Sequence, residues 1–150
     1  RQRGTTSRFP EEEQVITQVG HTAYAVNDIE AARRYYCDGL GLQEAFQLHK
    51  DDGTLWIVYL KTGNGTFLEL FPTPGFEPND AEVSYKHLCL LVDDMEATVA
   101  EMKARGVEFT SETNRGKDGN TQAWTRDPDG NRIELMQIAP DSLQAWASRS

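Results

Sequence analysis

Four side chains that could bind a metal ion recur at nearly equal spacing in the two halves of this chain. His87 follows His21 by 66 residues, and Glu134 follows Glu69 by 65. Imidazole nitrogens and carboxylate oxygens, without a thiolate, are donors that borderline or hard divalent cations accept. The spacing therefore raises the question of whether two related halves bring these four side chains to one ion.

The segments around these residues are themselves similar, which indicates an internal repeat. The stretch "VGHTAYAVNDIEAA" from Val19 aligns with "YKHLCLLVDDMEAT" from Tyr85, and "TFLEL" from Thr66 aligns with "RIELM" from Arg132. Self-similarity at a constant offset is the sequence signature of a duplicated structural unit. The chain is therefore predicted to consist of two related modules.

Each module is predicted to have the order βαβββ. The opening strands, "VITQVGHTAYAV" and "VSYKHLCLLV", are rich in β-branched and apolar residues. A helix follows each strand, with Asn27 or Asp28 as the first N-cap and Asp93 or Asp94 as the second. The remaining strands are "LQEAFQLH", "TLWIVYL" and "GTFLELF" in module one, and "VEFTS", "TQAWTR" and "NRIELMQI" in module two. The predicted fold class is α+β, built from two tandem βαβββ modules.

The domain boundaries follow from composition. Residues 1–14 are polar and aperiodic and are predicted to form a flexible tail. A single domain spans 15–138, with module one at 15–71, a linker rich in Pro and Gly at 72–82, and module two at 83–138. Residues 139–150 form a C-terminal tail that could contain a short helix. The polar stretch 111–120 is predicted to be an irregular loop.

Side chains on a strand alternate between its two faces, and this alternation predicts where the four candidate ligands point. In every case the polar residue lies away from the face that packs on the helix. Taken singly, a strand His is more often a hydrogen-bonded core residue, and a strand Glu usually faces solvent. Two buried carboxylates together are costly unless a positive charge lies between them. The set therefore predicts a site for one divalent metal ion, with Ni, Zn, Co, Mn and Fe all compatible.

Composition excludes several other classes of function. The formal charge is −9, which would repel a nucleic acid or an anionic membrane surface. No apolar stretch approaches the roughly 18 residues of a membrane span. The two cysteines, Cys37 and Cys89, lack the spacing of a metal site and are predicted to be reduced thiols, which favours a cytoplasmic location.

At this point the motifs resemble a known family. The duplicated βαβββ pattern, the opening "GHTAYAVNDIEAARRYYCDGLGL", the restart "KHLCLLVDDMEA" and the closing "DPDGNRIELMQ" are similar to the vicinal oxygen chelate superfamily. This superfamily includes glyoxalase I, methylmalonyl-CoA epimerase, extradiol dioxygenases and bleomycin resistance proteins. The resemblance covers about residues 15 to 138. It implies a cup-shaped mixed sheet with helices outside, and it implies that His21, Glu69, His87 and Glu134 are the metal ligands.

The ligand set implies proton chemistry within that superfamily. The ligand order His, Glu, His, Glu resembles that of bacterial glyoxalase I. This resemblance implies a metal-dependent lyase or isomerase that moves a proton next to a carbonyl. Glu134 is then the first candidate for the base and Glu69 the second. The chain departs from glyoxalase I after Glu69, where "LFPTPG" follows, and at Lys86 before the second His. An epimerase of an acyl thioester or a sugar-derived acid is the alternative enzyme, and a protein that binds a hydrophobic ligand without catalysis is the alternative of another class.

Several residues are candidates for contacts with a small-molecule substrate. Aromatic side chains could line the cup, with filling of the core as the alternative, namely Phe67, Phe71, Tyr85 and Trp56. Arg126 and Arg132 could hold an acidic substrate, or could be ordinary surface charges. A homodimer is expected, because chains of this size in the superfamily usually pair. The ligands could then come from one chain or be exchanged between two chains.

Overall fold

The computed structural model of the protein describes residues 18–77 and 85–148. The predicted tail at 1–14 and residues 78–84 of the predicted linker lie outside the described residues. The first module contains β1 (His21–Val26), α1 (Ile29–Arg33), β2 (Gln43–His49), β3 (Leu55–Gly63) and β4 (Thr66–Pro72). The second contains β5 (Leu88–Leu91), α2 (Met95–Ala104), β6 (Asn114–Arg115), β7 (Thr121–Arg126) and β8 (Arg132–Gln137). A short helix, α3 (Leu143–Ala147), follows the second module.

The strands form two four-stranded mixed sheets with the same topology. The order is β1-β4-β3-β2 in the first sheet and β5-β8-β7-β6 in the second. In each sheet the opening strand runs parallel to the closing strand, and the other neighbours are antiparallel. The predicted α+β fold of two βαβββ modules is therefore confirmed.

The helices begin where the sequence predicts. The Asp28 carboxylate accepts hydrogen bonds from the backbone N–H groups of Glu30 and Ala31, and Asp94 accepts one from Ala97. These bonds satisfy N–H groups that have no partner within the first turn of a helix. The first helix continues as a π-helical segment over Arg34–Gly39. In the described residues no helix has the length and apolar character needed to cross a bilayer.

The second strand of module two differs from its prediction. The segment "VEFTS" makes only an isolated bridge, between Phe109 and Thr125. The paired strand is instead β6, which lies inside the predicted irregular loop 111–120 and pairs with the start of β7. Its residues are polar and exposed, so hydrophobic patterning gives no signal for it.

One apolar core joins the two modules. Fully buried side chains on the inner faces of the two sheets, such as Leu68 and Leu135, belong to the same cluster as Met95 of α2. Tyr36, which follows α1, is also fully buried in it. Since both sheets turn their inner residues toward this shared core, the opposite faces are the ones that carry the candidate ligands.

A buried polar network also links the modules, at the "DPDG" turn of module two. The Tyr36 hydroxyl donates a 2.7 Å hydrogen bond to the Asp127 carboxylate, which also accepts bonds from the backbone of Asp129 and from Asn131. The side chain of Asn27, at the end of β1, donates to Asp129 at 3.1 Å. The first module therefore positions the turn from which β8 begins.

We expect Tyr36→Phe to lower the free energy of unfolding at pH 7 by about 1.5–3 kcal/mol, the usual contribution of a hydrogen bond to a charged group. The control is Tyr35→Phe, because the Tyr35 hydroxyl bonds the neutral Thr125 hydroxyl at 3.3 Å. That change should cost about 0.5–1.5 kcal/mol. Urea denaturation measures both values. Equal losses in the two variants would contradict the role given to the Asp127 contact.

The loss in Tyr36→Phe should also depend on pH. Burial raises the pKa of Asp127, and the Tyr36 hydrogen bond acts in the opposite direction. A carboxyl whose pKa is raised by folding costs stability as the pH rises through its folded pKa. Removing the Tyr36 hydroxyl raises the pKa of Asp127 further. The difference between variant and wild type should therefore be larger at neutral pH and shrink as the pH falls through the pKa of Asp127.

Candidate metal centre

In module one, the structure places His21 beside Glu69. His21 opens β1, and Glu69 lies in the middle of β4, which runs parallel to β1. The His21 Nε2 is 3.6 Å from a carboxylate oxygen of Glu69. The imidazole is 55% exposed and the carboxylate side chain only 6%. Module one thus presents one accessible nitrogen donor in front of one buried oxygen donor.

Module two repeats this arrangement. His87 immediately precedes β5, and its Nε2 is 3.0 Å from a carboxylate oxygen of Glu134 in β8. The registers are also equivalent, because the strand residue opposite each glutamate lies two positions after the histidine: Ala23 in module one and Cys89 in module two. The duplication predicted from sequence is therefore also a duplication of local side-chain geometry.

Within one chain, the structure brings the four candidate ligands together as two pairs. Among residues 18–77 and 85–148, no group of three or more His, Cys, Asp or Glu side chains is close enough to hold a metal ion. Each glutamate contacts the histidine of its own module. The sequence leaves open whether the two histidines and two glutamates come from one chain or from two, and the described residues of one chain present them as two separate pairs.

The electrostatics of the two pairs nevertheless fit a cation. Glu69 and Glu134 are 5% and 4% exposed, and in the described part of the chain neither has a Lys or Arg nitrogen within 4.0 Å. A buried carboxylate is costly without a compensating charge. Each pair offers one nitrogen and one oxygen donor, which suits half of the coordination sphere of a borderline divalent ion.

Besides the histidine of its own module, each carboxylate has one further neighbour, and this neighbour differs between Glu69 and Glu134. Glu69 lies directly opposite Tyr59 of β3, and the neighbouring Glu69 carboxylate raises the pKa of the Tyr59 phenol. Glu134 instead lies beside Cys89, where burial, followed by the Glu134 charge, raises the pKa of the thiol to about 12. A phenol is a much stronger hydrogen-bond donor than a thiol. The two halves of the site are therefore chemically unequal.

The predicted aromatic residues are distributed over different surfaces. Phe67 lies two residues before Glu69 on the same face, within an aromatic cluster with Phe46 and Tyr59, and Phe71 lies two residues after it. Trp56 lies at a register irregularity of β3, between Leu55 and Ile57, and its side chain is 46% exposed and outside the apolar core. The structure thus places Phe67 and Phe71 on the Glu69 face and leaves Trp56 exposed at this irregularity.

Tyr85 takes part in the contact between the modules. Its ring packs edge-on against Tyr24 at 5.3 Å, its hydroxyl accepts a 2.8 Å hydrogen bond from Tyr24, and it donates to the backbone carbonyl of Arg132. Its hydroxyl is therefore engaged by protein groups.

Arg126 and Arg132 lie on the face that carries Glu134. They are cross-strand partners in β7 and β8, as are Trp124 and Glu134. The Arg132 guanidinium lies 4.3 Å from the centroid of the Trp124 ring, and Trp124 packs edge-on against His87 at 4.9 Å. The structure thus brings both predicted arginines to the His87–Glu134 half of the site.

Sequence reasoning missed three neighbours of the carboxylates. The sequence pattern places Tyr59 and Trp124 in strands and predicts a reduced thiol at Cys89, without pairing any of the three with a carboxylate. Alternation gives a signal for Tyr59, because Val58 and Leu60 on either side of it are fully buried on the other face. Pairing Tyr59 with Glu69 additionally requires the register of β3 and β4, which the sequence does not show.

Two βαβββ modules, each presenting one imidazole and one carboxylate at matching positions, define the vicinal oxygen chelate class of proteins. Comparison with known families agrees. A family model for the glyoxalase/bleomycin resistance protein/dioxygenase superfamily matches residues 18–135. The chain belongs to this superfamily.

Individual relatives carry different names. A probable lactoylglutathione lyase of Vibrio cholerae is 32% identical over 124 residues, covering 78% of this chain and 88% of the relative. The mitochondrial methylmalonyl-CoA epimerase of Mus musculus is 29% identical over 143 residues, covering 87% and 80%. A solved superfamily member from Sphaerobacter thermophilus is 26% identical, with a TM-score of 0.67 and coverage of 82% and 98%. These similarities establish the family, which includes both lyases and epimerases.

Proposed function

We propose that the protein is a divalent-metal-dependent lyase or isomerase that moves a proton next to a carbonyl, with a site similar to that of glyoxalase I. The observation that carries the proposal is the pair of matched contacts, His21 with Glu69 and His87 with Glu134. Sequence similarity to proteins named lactoylglutathione lyase supports the same class of reaction.

We further propose that the complete site is assembled from two copies of the chain. Each copy supplies a His–Glu pair from each of its modules, and the described residues of one copy hold the pairs apart. In a two-fold dimer, the module-one pair of one copy can face the module-two pair of the other, so two equivalent sites form. The exposed His21 imidazole is accessible for such a contact.

A bound divalent cation would polarise the substrate carbonyl and so acidify the neighbouring carbon. The chain itself has to move the proton. Glu134 is the first candidate for the base, because its second neighbour is the weak donor Cys89, which leaves the carboxylate free to turn toward the substrate. Glu69 is the second candidate, and the phenol of Tyr59 directly across from it favours a stationary role as ligand. Phe67 and Phe71 would shield the reacting atoms from water.

Epimerisation of an acyl thioester is a second candidate reaction. It needs the same removal and return of a proton next to a carbonyl, and the similarity to a methylmalonyl-CoA epimerase extends over 87% of this chain. Two carboxylates at related positions could serve the two faces of the planar intermediate, one removing and the other returning the proton. The residues beyond the His–Glu pairs decide between the two reactions.

The test is α-proton exchange in D₂O by protein reconstituted with each of Ni²⁺, Zn²⁺, Co²⁺, Mn²⁺ and Fe²⁺. The substrates are hemithioacetals of methylglyoxal and branched acyl-CoAs, followed by NMR. We expect exchange with at least one of the two classes, and the class that reacts identifies the reaction. Failure to exchange either class with every metal would overturn the proposal.

Metal content separates this function from simple ligand binding. We expect the dialysed protein to retain about one ion per chain, because a tight site needs all four donors. A protein that merely binds a hydrophobic ligand would retain none. The His21→Ala variant is the control, since it should lose the ion without changing the apolar core.

A further inference from the structure

Two arginines oppose each other on the second sheet, and neither has an ion-pair partner among the residues that the structure describes. Arg126 and Arg132 are direct cross-strand partners in the antiparallel pair of β7 and β8. Like charges at such positions destabilise a sheet. Within residues 18–77 and 85–148 the arginines that form ion pairs are Arg33, Arg105 and Arg115, so this pair has no carboxylate to offset the repulsion.

Both side chains are nevertheless held in defined positions. The Arg126 Nη1 donates a 2.6 Å hydrogen bond to the carbonyl of Gly130, in the turn that joins the two strands. The Arg132 guanidinium packs on Trp124, with 4.3 Å between its central carbon and the ring centroid. A guanidinium that packs on an aromatic ring keeps its N–H donors at its edge available for a planar anion.

The pair lies close to the proposed reaction site. Arg132 and Glu134 are two residues apart on β8 and share a face, which places their Cα atoms about 7 Å apart. Trp124 links Arg132 to the His87–Glu134 pair, because it contacts both the Arg132 guanidinium and the His87 ring. A group bound by the arginines would therefore lie a few bond lengths from a carbonyl held at the His87–Glu134 pair.

We propose that Arg126 and Arg132 bind a carboxylate of the substrate, so that the site selects acids over neutral compounds. This inference rests on the proposed function for the location of the reacting carbonyl. The protein carries a formal charge of −9, which disfavours anions in general. A local pair of positive charges reverses that effect at this position, and the bound carboxylate removes the repulsion between the two arginines.

The kinetic test compares two hemithioacetals of methylglyoxal that differ in charge. One is formed with 3-mercaptopropionate and the other with 2-mercaptoethanol. We expect the wild-type kcat/KM to be about 10- to 100-fold higher for the carboxylate adduct, the range of one or two charge-assisted hydrogen bonds. The double variant Arg126→Gln/Arg132→Gln should lose this ratio through a higher KM. Arg115→Gln removes one positive charge from the other face of the second sheet and should keep the ratio.

Binding measured without turnover provides an independent test. Metal-free, ¹⁵N-labelled protein is titrated with propionate and, at equal ionic strength, with propionamide. We expect propionate, but not propionamide, to shift the side-chain N–H signals of Arg126, Arg132 and Trp124. The variant Arg132→Lys keeps the positive charge but lacks the planar guanidinium, so propionate should cause smaller shifts in it. Absence of these shifts, or equal shifts with both compounds, would overturn the inference. If neither adduct is turned over but the propionate shifts occur, the proposed reaction fails and the anion site stands.

Discussion

Glu134→Gln should lower the rate of α-proton exchange by about 10³-fold, within the range expected for loss of a general base. The amide has nearly the shape of the carboxylate, but it cannot accept the proton. Glu134 is 4% exposed and contacts the His87 Nε2 at 3.0 Å, so the substitution should leave the fold intact while removing one anionic donor. The rate is measured in D₂O with saturating metal.

Two comparisons make this result specific. Glu112→Gln makes the same chemical change at an exposed position and should leave the exchange rate unchanged. Glu69→Gln should reduce metal affinity more than Glu134→Gln does, because Glu69 is the carboxylate that lies opposite a phenol. If Glu134→Gln, fully loaded with metal, kept more than about a tenth of the wild-type rate, general-base catalysis by this residue would be excluded.

Mixing two inactive variants should restore activity if the site is shared between copies. The first variant carries His21→Ala and Glu69→Ala, and the second carries His87→Ala and Glu134→Ala. Each homodimer then lacks half of every site. In a heterodimer, one site contains both damaged halves and the other contains both intact halves.

After random exchange of subunits, about half of the dimers are heterodimers with one intact site of two, so about a quarter of the wild-type activity should return. Exchange is promoted by dilution or mild urea, and activity and metal content are followed together. The control mixes each variant with itself under the same conditions. Inactivity of the mixture, together with mass-spectrometric proof that heterodimers have formed, would show that each site belongs to a single chain.

The sequence predicts the repeated unit well, for a local physical reason. Strand faces follow from alternation, so the burial of Tyr24 and Val26 opposite His21 could be read from the pattern. The helix starts at Asp28 and Asp94 follow from the chemistry of a short side chain that caps free N–H groups. By contrast, β6 was missed, because a two-residue polar strand depends on its partner strand rather than on its own composition.

The neighbours of each carboxylate were decided by tertiary structure. The residue types of His21, Glu69, His87 and Glu134, and their equivalence by repeat, were determined by the sequence alone. Within one chain these four residues meet as two separate pairs, because of the way the two sheets pack around one core. That packing depends on contacts between distant residues, such as Tyr36 and Asp127. The contacts of Glu69 with Tyr59, and of Arg132 with Arg126 and Trp124, depend on strand register. A shift of one residue would turn those side chains to the other face, and only the packed sheet selects the register.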